Sequence, residues 1–177
     1  MPSYLVDYEA EYVRLGAQAF VRAFPSPVFV VTGIAGELGD NASKSGTMVA
    51  TSISAMMQAS ALDGRVFPVV KGKNSGPGPV TIGRTADNDV AIPEYTISTH
   101  HCLLATVDGE YRLTDMGATN GTRVDGQPLV VRKPCRLKGG ETVVMGRFSM
   151  LFHLPRGFAE YLGQRTASRI QSGAAGK

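Results

Sequence analysis

Between residues 80 and 126, polar side chains that can bind an anion occur in short groups separated by apolar runs. These side chains are a guanidinium, several hydroxyls and a carboxamide, all of which can donate hydrogen bonds. They belong to Arg84, Ser98, Thr99, Thr119 and Asn120. No nucleophile–base pair and no pair of carboxylates accompanies them. The residue types therefore predict a binding site with no catalytic residues, no metal and no cofactor.

An earlier segment has the layout of a nucleotide-binding loop but lacks the glycines that such a loop needs. The apolar run Val28–Thr32 leads through a glycine-containing stretch to Lys44 and Ser45. In the pattern G-x-x-x-x-G-K-[ST], the two glycine positions are occupied here by Leu38 and Ser43. Backbone N–H groups can close around a phosphate only where no Cβ intervenes. This segment therefore argues against nucleotide hydrolysis.

The anion-binding side chains lie between short runs that are typical of β-strands. From Arg65 onward, runs rich in β-branched and aromatic residues alternate with turn residues, and Asp108-Gly109 and Asp125-Gly126 favour hairpin turns. After a first strand at 28–32, the predicted strands are 66–71, 79–84, 89–92, 101–107, 110–114, 123–124, 128–131, 134–138, 141–145 and 147–153. This spacing predicts a sandwich or a barrel. If its loops share one end, the polar groups form one patch.

The flanking segments have other patterns. Apolar residues at helical spacing predict one helix over 3–24, ended by Pro25 and packed on the following domain or available to a partner. A glycine-, serine-, alanine- and methionine-rich segment, 33–64, predicts a long loop with a helix around 47–62. A short helix is predicted over 157–165, followed by a disordered tail from 166.

Composition narrows the class of protein. The chain has 177 residues, a net charge of +3 and two cysteines, which is too few for a disulfide framework. No apolar run approaches the about 20 residues that span a bilayer. The basic residues form no block, and tryptophan is absent. We therefore expect a cytoplasmic protein that binds neither membrane nor nucleic acid.

The polar groups between the predicted strands resemble the motifs of the forkhead-associated (FHA) domain, a family that binds phosphothreonine. The motifs are Gly83-Arg84, Ser98-Thr99-His100-His101, Asn120-Gly121 and the run Asp115 to Thr122, in which Ala118 replaces the usual serine. The resemblance covers about 27–154. It implies an all-β fold, an FHA-like β-sandwich of two antiparallel sheets. Residues 1–26 would be a helical extension, 27–155 the sandwich with 33–64 inserted between its first two strands, and 156–177 a basic, partly disordered tail.

The resemblance also implies roles for individual residues. Arg84 and Ser98 would contact the phosphate, and Asn120 would contact the peptide backbone. Thr119 would line the phosphate pocket. Thr99 stands where the family often has a basic or amide side chain, so one contact would be lost. Gly83, His101 and Gly121 would support the loops.

The function implied is a non-catalytic, phosphothreonine-dependent protein–protein interaction module for signalling. Its partner would be a threonine-phosphorylated protein, the substrate of a Ser/Thr kinase. An alternative is a phosphate-independent scaffold on the same fold, with contacts made by the first helix and the 33–64 insertion. The departures at Thr99 and Ala118 keep that alternative open. A nucleic-acid binder is the third and weakest hypothesis.

Overall fold

The computed structural model describes residues 3–34, 62–72 and 75–174. The helices over these residues are α1 (Leu5–Leu15), α2 (Ala17–Ala23) and α3 (Pro155–Ala174). The strands are β1 (Val28–Ile34), β2 (Val66–Pro68), β3 (Val80–Gly83), β4 (Val90–Ala91), β5 (Cys102–Val107), β6 (Glu110–Asp115), β7 (Thr122–Val124), β8 (Gln127–Pro128), β9 (Cys135–Leu137), β10 (Thr142–Met145) and β11 (Phe148–His153).

The strands form two sheets that face each other across a hydrophobic core. One sheet has the order β2-β1-β11-β10-β7-β8, and the other has the order β4-β3-β5-β6-β9. All pairs are antiparallel except the short edge pair of β3 with β4. Alternate residues of the central strands, such as Phe148, Met150 and Phe152, point into the core. The predicted sandwich of two antiparallel sheets is therefore confirmed, with slightly shorter strands.

The first four residues of strand β1, 28–31, are buried on both faces of the strand, which explains why all four are apolar. Phe29 and Val31 belong to the core between the sheets, whereas Val28 and Val30 belong to a second core beneath the helices. A strand with one solvated face would alternate apolar and polar residues. The helices therefore cover the outer face of the sheet at β1 and β2. This agrees with the prediction that the N-terminal segment packs on the following domain.

The N-terminal helical segment is two helices, so the prediction of one helix over 3–24 was wrong. Gly16 separates α1 from α2 and has φ of +74°, a conformation that glycine adopts without the Cβ penalty of other residues. The break folds the two helices onto each other. It brings the ring of Phe20 to 6.4 Å from that of Tyr8 and 5.7 Å from that of Tyr12, both in edge-on geometry.

The C-terminal helix is longer than its sequence predicts. Helix α3 continues to Ala174, so the expectation of disorder from residue 166 does not hold for 166–174. The buried carboxylate of Glu9 on α1 accepts hydrogen bonds from Arg165 Nε at 2.8 Å and Arg169 Nη1 at 2.6 Å. These ion pairs stabilise the turns of α3 beyond the predicted end at residue 165. Because Glu9 is distant in the sequence, no local sequence signal predicts these turns.

Most of the predicted insertion, including the helix expected around 47–62, lies outside the described residues. At its end, Leu62 is buried in the core between the sheets. Strands β1 and β2, on either side of the insertion, pair with each other in antiparallel register, Phe29 opposite Phe67. Within the described part of the chain, no helix is long and apolar enough to cross a membrane.

The second core predicts that the helices stabilise the sandwich. Phe158 of α3 is 1% exposed, and its ring centroid lies 5.3 Å from that of Tyr8. We expect Phe158→Ala to lower the free energy of unfolding by about 3–5 kcal/mol, because it leaves a cavity under both other helices. Urea unfolding would measure this. Val13→Ala, at a 70% exposed position on α1, is the control and should change stability by less than about 0.5 kcal/mol. Equal effects of the two substitutions would contradict the packing.

Candidate functional site

Three loops at one end of the sandwich enclose a cleft of about 410 Å³. They follow β3, connect β4 to β5, and connect β6 to β7, and they meet because β3, β5 and β6 are neighbours in one sheet. All five residues predicted to bind the phosphopeptide line the cleft. The lining residues are Arg84, Tyr95, Thr96, Ile97, Ser98, Thr99, His100, Gly117, Thr119 and Asn120. No carboxylate is among these described lining residues.

Arg84 is the one permanently charged cation among the described residues that line the cleft. Its backbone N–H donates to the carbonyl of Ser98 at 3.0 Å, and its Nε donates to the carbonyl of Ile97 at 3.1 Å. These bonds orient the guanidinium. Its two Nη groups form no hydrogen bond with another described residue. The outer edge of the guanidinium therefore keeps its donors for a ligand.

Two hydroxyl groups, those of Ser98 and Thr119, also line the cleft. Ser98 Oγ accepts a hydrogen bond from the backbone N–H of Thr119 at 3.0 Å, and the hydroxyl oxygens of Ser98 and Thr119 are 3.5 Å apart. Each hydroxyl has a rotatable proton that can turn toward an anion. The neighbouring Thr99 is exposed, and its carbonyl accepts from Asn88 Nδ2 at 2.7 Å. Thr99 therefore adds no charge to the lining of the cleft.

Asn120 connects two of the loops. Its Nδ2 donates to the carbonyl of Thr96 at 2.8 Å, while its Oδ1 can accept a further bond. Thr96 is itself fixed by the carboxylate of Glu94, which accepts from its backbone N–H at 2.8 Å and also from its hydroxyl. Glu94 is buried and lies 2.9 Å from Arg147 Nη2, and the guanidinium of Arg147 covers the ring of Tyr95. Sequence reasoning missed Glu94 and Arg147, because only the fold brings them together.

A buried histidine holds the second and third loops at a fixed distance. His101 Nδ1 accepts the backbone N–H of Ser98 at 3.1 Å, and Nε2 donates to the carbonyl of Gly121 at 3.2 Å. Gly121 has φ of +66°, which favours glycine. Burial lowers the pKa of His101 despite the opposing charge of Asp115. The neutral ring, with one acceptor and one donor nitrogen, is the form that both bonds require.

The buried carboxylate of Asp115 shapes the third loop. Oδ1 accepts the backbone N–H groups of Gly117 at 2.7 Å and Ala118 at 2.9 Å, and Oδ2 accepts the Thr122 hydroxyl at 2.5 Å. Burial acts to raise the pKa of Asp115, but these three hydrogen bonds outweigh it and hold the pKa below its usual value. The sequence places Asp115 in the motif but gives no sign of its several bonds.

His101, Cys102 and Asp115 offer ligand atoms within 4.8 Å of one another, which is the spacing of a metal site. Their existing bonds do not fit one. Both nitrogens of His101 are engaged, as are both oxygens of Asp115. Burial raises the pKa of the Cys102 thiol to about 12, so it stays protonated and a poor ligand. The cluster is a hydrogen-bonding support for the loops.

Gly83 allows the first two loops to touch. A Cβ built at this position would lie 2.1 Å from the carbonyl oxygen of Thr99 and 2.8 Å from Asn88 Nδ2. We expect Gly83→Ala to lower the free energy of unfolding by about 1–3 kcal/mol, because a backbone atom must move. Gly76→Ala is the matched control, since no atom lies within 4 Å of its built Cβ. Thermal or urea unfolding of both variants would test the contact, and an unchanged Gly83→Ala protein would contradict it.

The buried histidines predict a loss of stability in weak acid. Burial lowers the pKa of both His101 and His153, so the unfolded chain binds protons first as the pH falls through 6.5. The free energy of unfolding should therefore be constant above that pH and decrease below it, down to the lowered folded pKa. Urea unfolding across a pH series measures this slope.

One substitution distinguishes the contributions of His101 and His153 to this pH dependence. In His153→Phe only part of the slope should disappear, because His101 still resists protonation. A slope that vanishes completely in this variant would show that protonating His101 costs the folded state nothing.

Comparison with known proteins agrees with the geometry of the cleft. Residues 80–146 match the family model of the FHA domain. Over 72 residues, 41% of this chain, the sequence is 32% identical to the oxoglutarate dehydrogenase inhibitor of Corynebacterium diphtheriae, of which it covers 48%. It is 37% identical over 76 residues, 43% of this chain, to the ABC transporter ATP-binding/permease protein Rv1747 of Mycobacterium tuberculosis, of which it covers 8%. The chain thus spans less than half the length of these curated relatives.

Solved structures of FHA domains also match parts of this chain. The FHA domain of an Arabidopsis thaliana hypothetical protein covers 73% of this chain and 86% of its own, with 20% identity and a TM-score of 0.48. The N-terminal FHA domain of Rad53p from S. cerevisiae, in complex with a phosphothreonine peptide, covers 76% and 98%, with 18% identity and a TM-score of 0.46. The family model covers β3 to β10 and all three loops of the cleft. By this match, residues 80–146 of the chain are similar to the forkhead-associated domain family.

Proposed function

We propose that this chain is a non-catalytic interaction module that binds a threonine-phosphorylated segment of another protein in the cleft. The observation that carries the proposal is that Arg84, Ser98 and Thr119 line one cleft whose described lining has no carboxylate. Such a site donates hydrogen bonds and carries positive charge, which is what an anion requires.

The phosphate would engage the three donor side chains. A phosphothreonine carries about −1.5 to −2 charges and three acceptor oxygens. The free Nη edge of Arg84 matches two of these oxygens, since the guanidinium is planar and permanently charged. The hydroxyls of Ser98 and Thr119 would turn their protons to the phosphate. Asn120 Oδ1 would accept a backbone N–H of the peptide, because its Nδ2 is already committed to Thr96.

The neutral Thr99 sets the expected strength of binding. Hydrogen bonds to a charged group contribute about 1.5–3 kcal/mol each. Three or four of them, less desolvation, are consistent with a dissociation constant in the low to middle micromolar range, where 1 μM corresponds to about −8.2 kcal/mol. A second cation at position 99 would increase this affinity.

The names of the matched relatives support a regulatory role for this interaction module. The matched proteins include an oxoglutarate dehydrogenase inhibitor and the glycogen accumulation regulator GarA of Mycolicibacterium smegmatis. Their names describe regulators, which favours a binding module over an enzyme here. The partner would be the substrate of a Ser/Thr kinase. We place the interaction in the cytoplasm, where Cys102 and Cys135 would stay reduced thiols.

Replacement of the guanidinium tests the proposal. We expect Arg84→Ala to weaken binding of a degenerate phosphothreonine peptide pool by at least about tenfold, because it removes the charge-assisted bonds. Fluorescence anisotropy would measure the affinity. The matched control is Arg123→Ala, at an exposed arginine on β7 outside the cleft, which should bind as the unmodified protein does. Phosphoserine and unphosphorylated pools should bind weakly or not at all.

The same experiment addresses the scaffold alternative. If the folded protein binds none of the pools, or if Arg84→Ala binds as well as Arg123→Ala, phosphate recognition in this cleft is wrong. Association with partners would then have to depend on other surfaces, and the helices α1 and α2 would be the first segments to replace.

A further inference from the structure

Two adjacent valines are exposed beside the cleft. Val130 and Val131 lie between β8 and β9 and are 65% and 53% exposed. The sequence predicts a strand over 128–131, but β8 ends at Pro128 and the chain turns. Met116, on the loop after β6, is 37% exposed. We call residues 130–133 the valine turn.

The valine turn has a fixed conformation that includes an unfavourable residue. Arg132 has φ of +61°, a left-handed conformation that is uncommon for residues other than glycine. Its backbone N–H donates to the carbonyl of Asp115 at 2.8 Å, and Lys133 N–H donates to the carbonyl of Val130 at 3.0 Å. Such a conformation persists only where the surroundings hold it, and it is frequent at binding sites. The two valines are thus presented to solvent by a rigid turn.

The valine turn and the cleft are connected through Asp115, which bonds to both, and through the proximity of Val131 to Gly117. Asp115 holds the valine turn through its carbonyl and the loop of Thr119 through its carboxylate. A Cβ built on Gly117, which lines the cleft, would lie 3.7 Å from Val131 Cγ1. The apolar surface is therefore continuous with the wall of the cleft. A peptide held by its phosphothreonine would meet this surface when it leaves the cleft on that side.

The surface also carries positive charge. Arg132 and Lys133 are exposed, and neither forms an ion pair with another described residue. An apolar pair beside two free cations complements a ligand segment that has an apolar side chain next to acidic ones. At this second surface, the apolar contact would contribute more to affinity than the two cations, because exposed ion pairs are weak and screened by salt.

We propose that the valine turn, together with Met116, is a second contact surface for the phosphopeptide. It would select apolar residues accompanied by aspartate or glutamate on one side of the phosphothreonine. This inference rests on the proposed function, since the phosphothreonine places the flanking segment on the turn. It adds a selection for sequence to the selection for phosphate.

An oriented peptide library with a fixed phosphothreonine and degenerate flanks tests the proposal on the full chain. We expect the unmodified protein to enrich apolar and acidic residues on one side. Val131→Ser should lose the apolar enrichment and bind the selected peptide about three- to tenfold more weakly. Arg132→Gly should keep the turn, since glycine adopts its φ readily, but lose the acidic enrichment. The matched control Val107→Ser, 40% exposed at the opposite end of β5, should change neither.

The outcomes separate the two proposals. A minimal phosphothreonine peptide without flanks should bind Val131→Ser and the unmodified protein equally, because the phosphate contacts are intact. If the library binds without any preference in its flanks, or if Val131→Ser selects the same residues as the unmodified protein, the second surface is wrong while phosphothreonine binding stands. If no phosphothreonine peptide binds at all, the proposed function itself is wrong.

Discussion

The end of the sandwich that carries the cleft depends on one buried carboxylate. Asp115 ends β6, and its carboxylate accepts hydrogen bonds from Gly117 and Ala118 in the following loop and from Thr122 at the start of β7. Its backbone carbonyl also fixes the turn before β9. A carboxylate can satisfy several donors at once, and several donors are what keep it ionised in a buried place. The cleft and the valine turn therefore both depend on Asp115, although no local sequence pattern links them.

The remaining loops are joined to this one through side chains that span between strands. His101 connects the loop of Ser98 to Gly121, Asn120 reaches Thr96, and Asn88 reaches the carbonyl of Thr99. Behind them, the two sheets and the helical layer bury β1 on both faces. The ligand-facing groups are therefore exposed but held from beneath, which keeps the entropy cost of ordering them on binding small.

The sequence predicts the strands and the cleft residues well because both depend on local information. Short apolar runs with Asp-Gly turns mark the strands, and residues that follow the strands must lie on loops. The five predicted binding residues therefore lie on loops, and the order of β3, β5 and β6 in one sheet brings those loops to one cleft. The failures differ in kind. Gly16 is a local signal, but the periodicity of the apolar residues continues across it and predicts one helix. The length of α3 is non-local, because it depends on Glu9, far from the arginines of α3 in the chain. Likewise, Arg147, which lies between β10 and β11, supports the cleft through its ion pair with Glu94. The two residues are far apart in the sequence, so no local pattern predicts the pair.

If the cleft binds phosphothreonine as proposed, the presence of one guanidinium among its described lining residues affects the lifetime of the complex. One fixed cation cannot neutralise a phosphate of nearly two negative charges, so part of the ligand's charge must be balanced by hydroxyls and solvent. With a dissociation constant of about 10 μM and an association rate constant of about 10⁵–10⁷ M⁻¹s⁻¹, the complex would dissociate about 1–100 times per second. A phosphatase would then reach the phosphothreonine between binding events. Occupancy would follow the current level of phosphorylation within about a second, so the domain would report kinase activity without storing it.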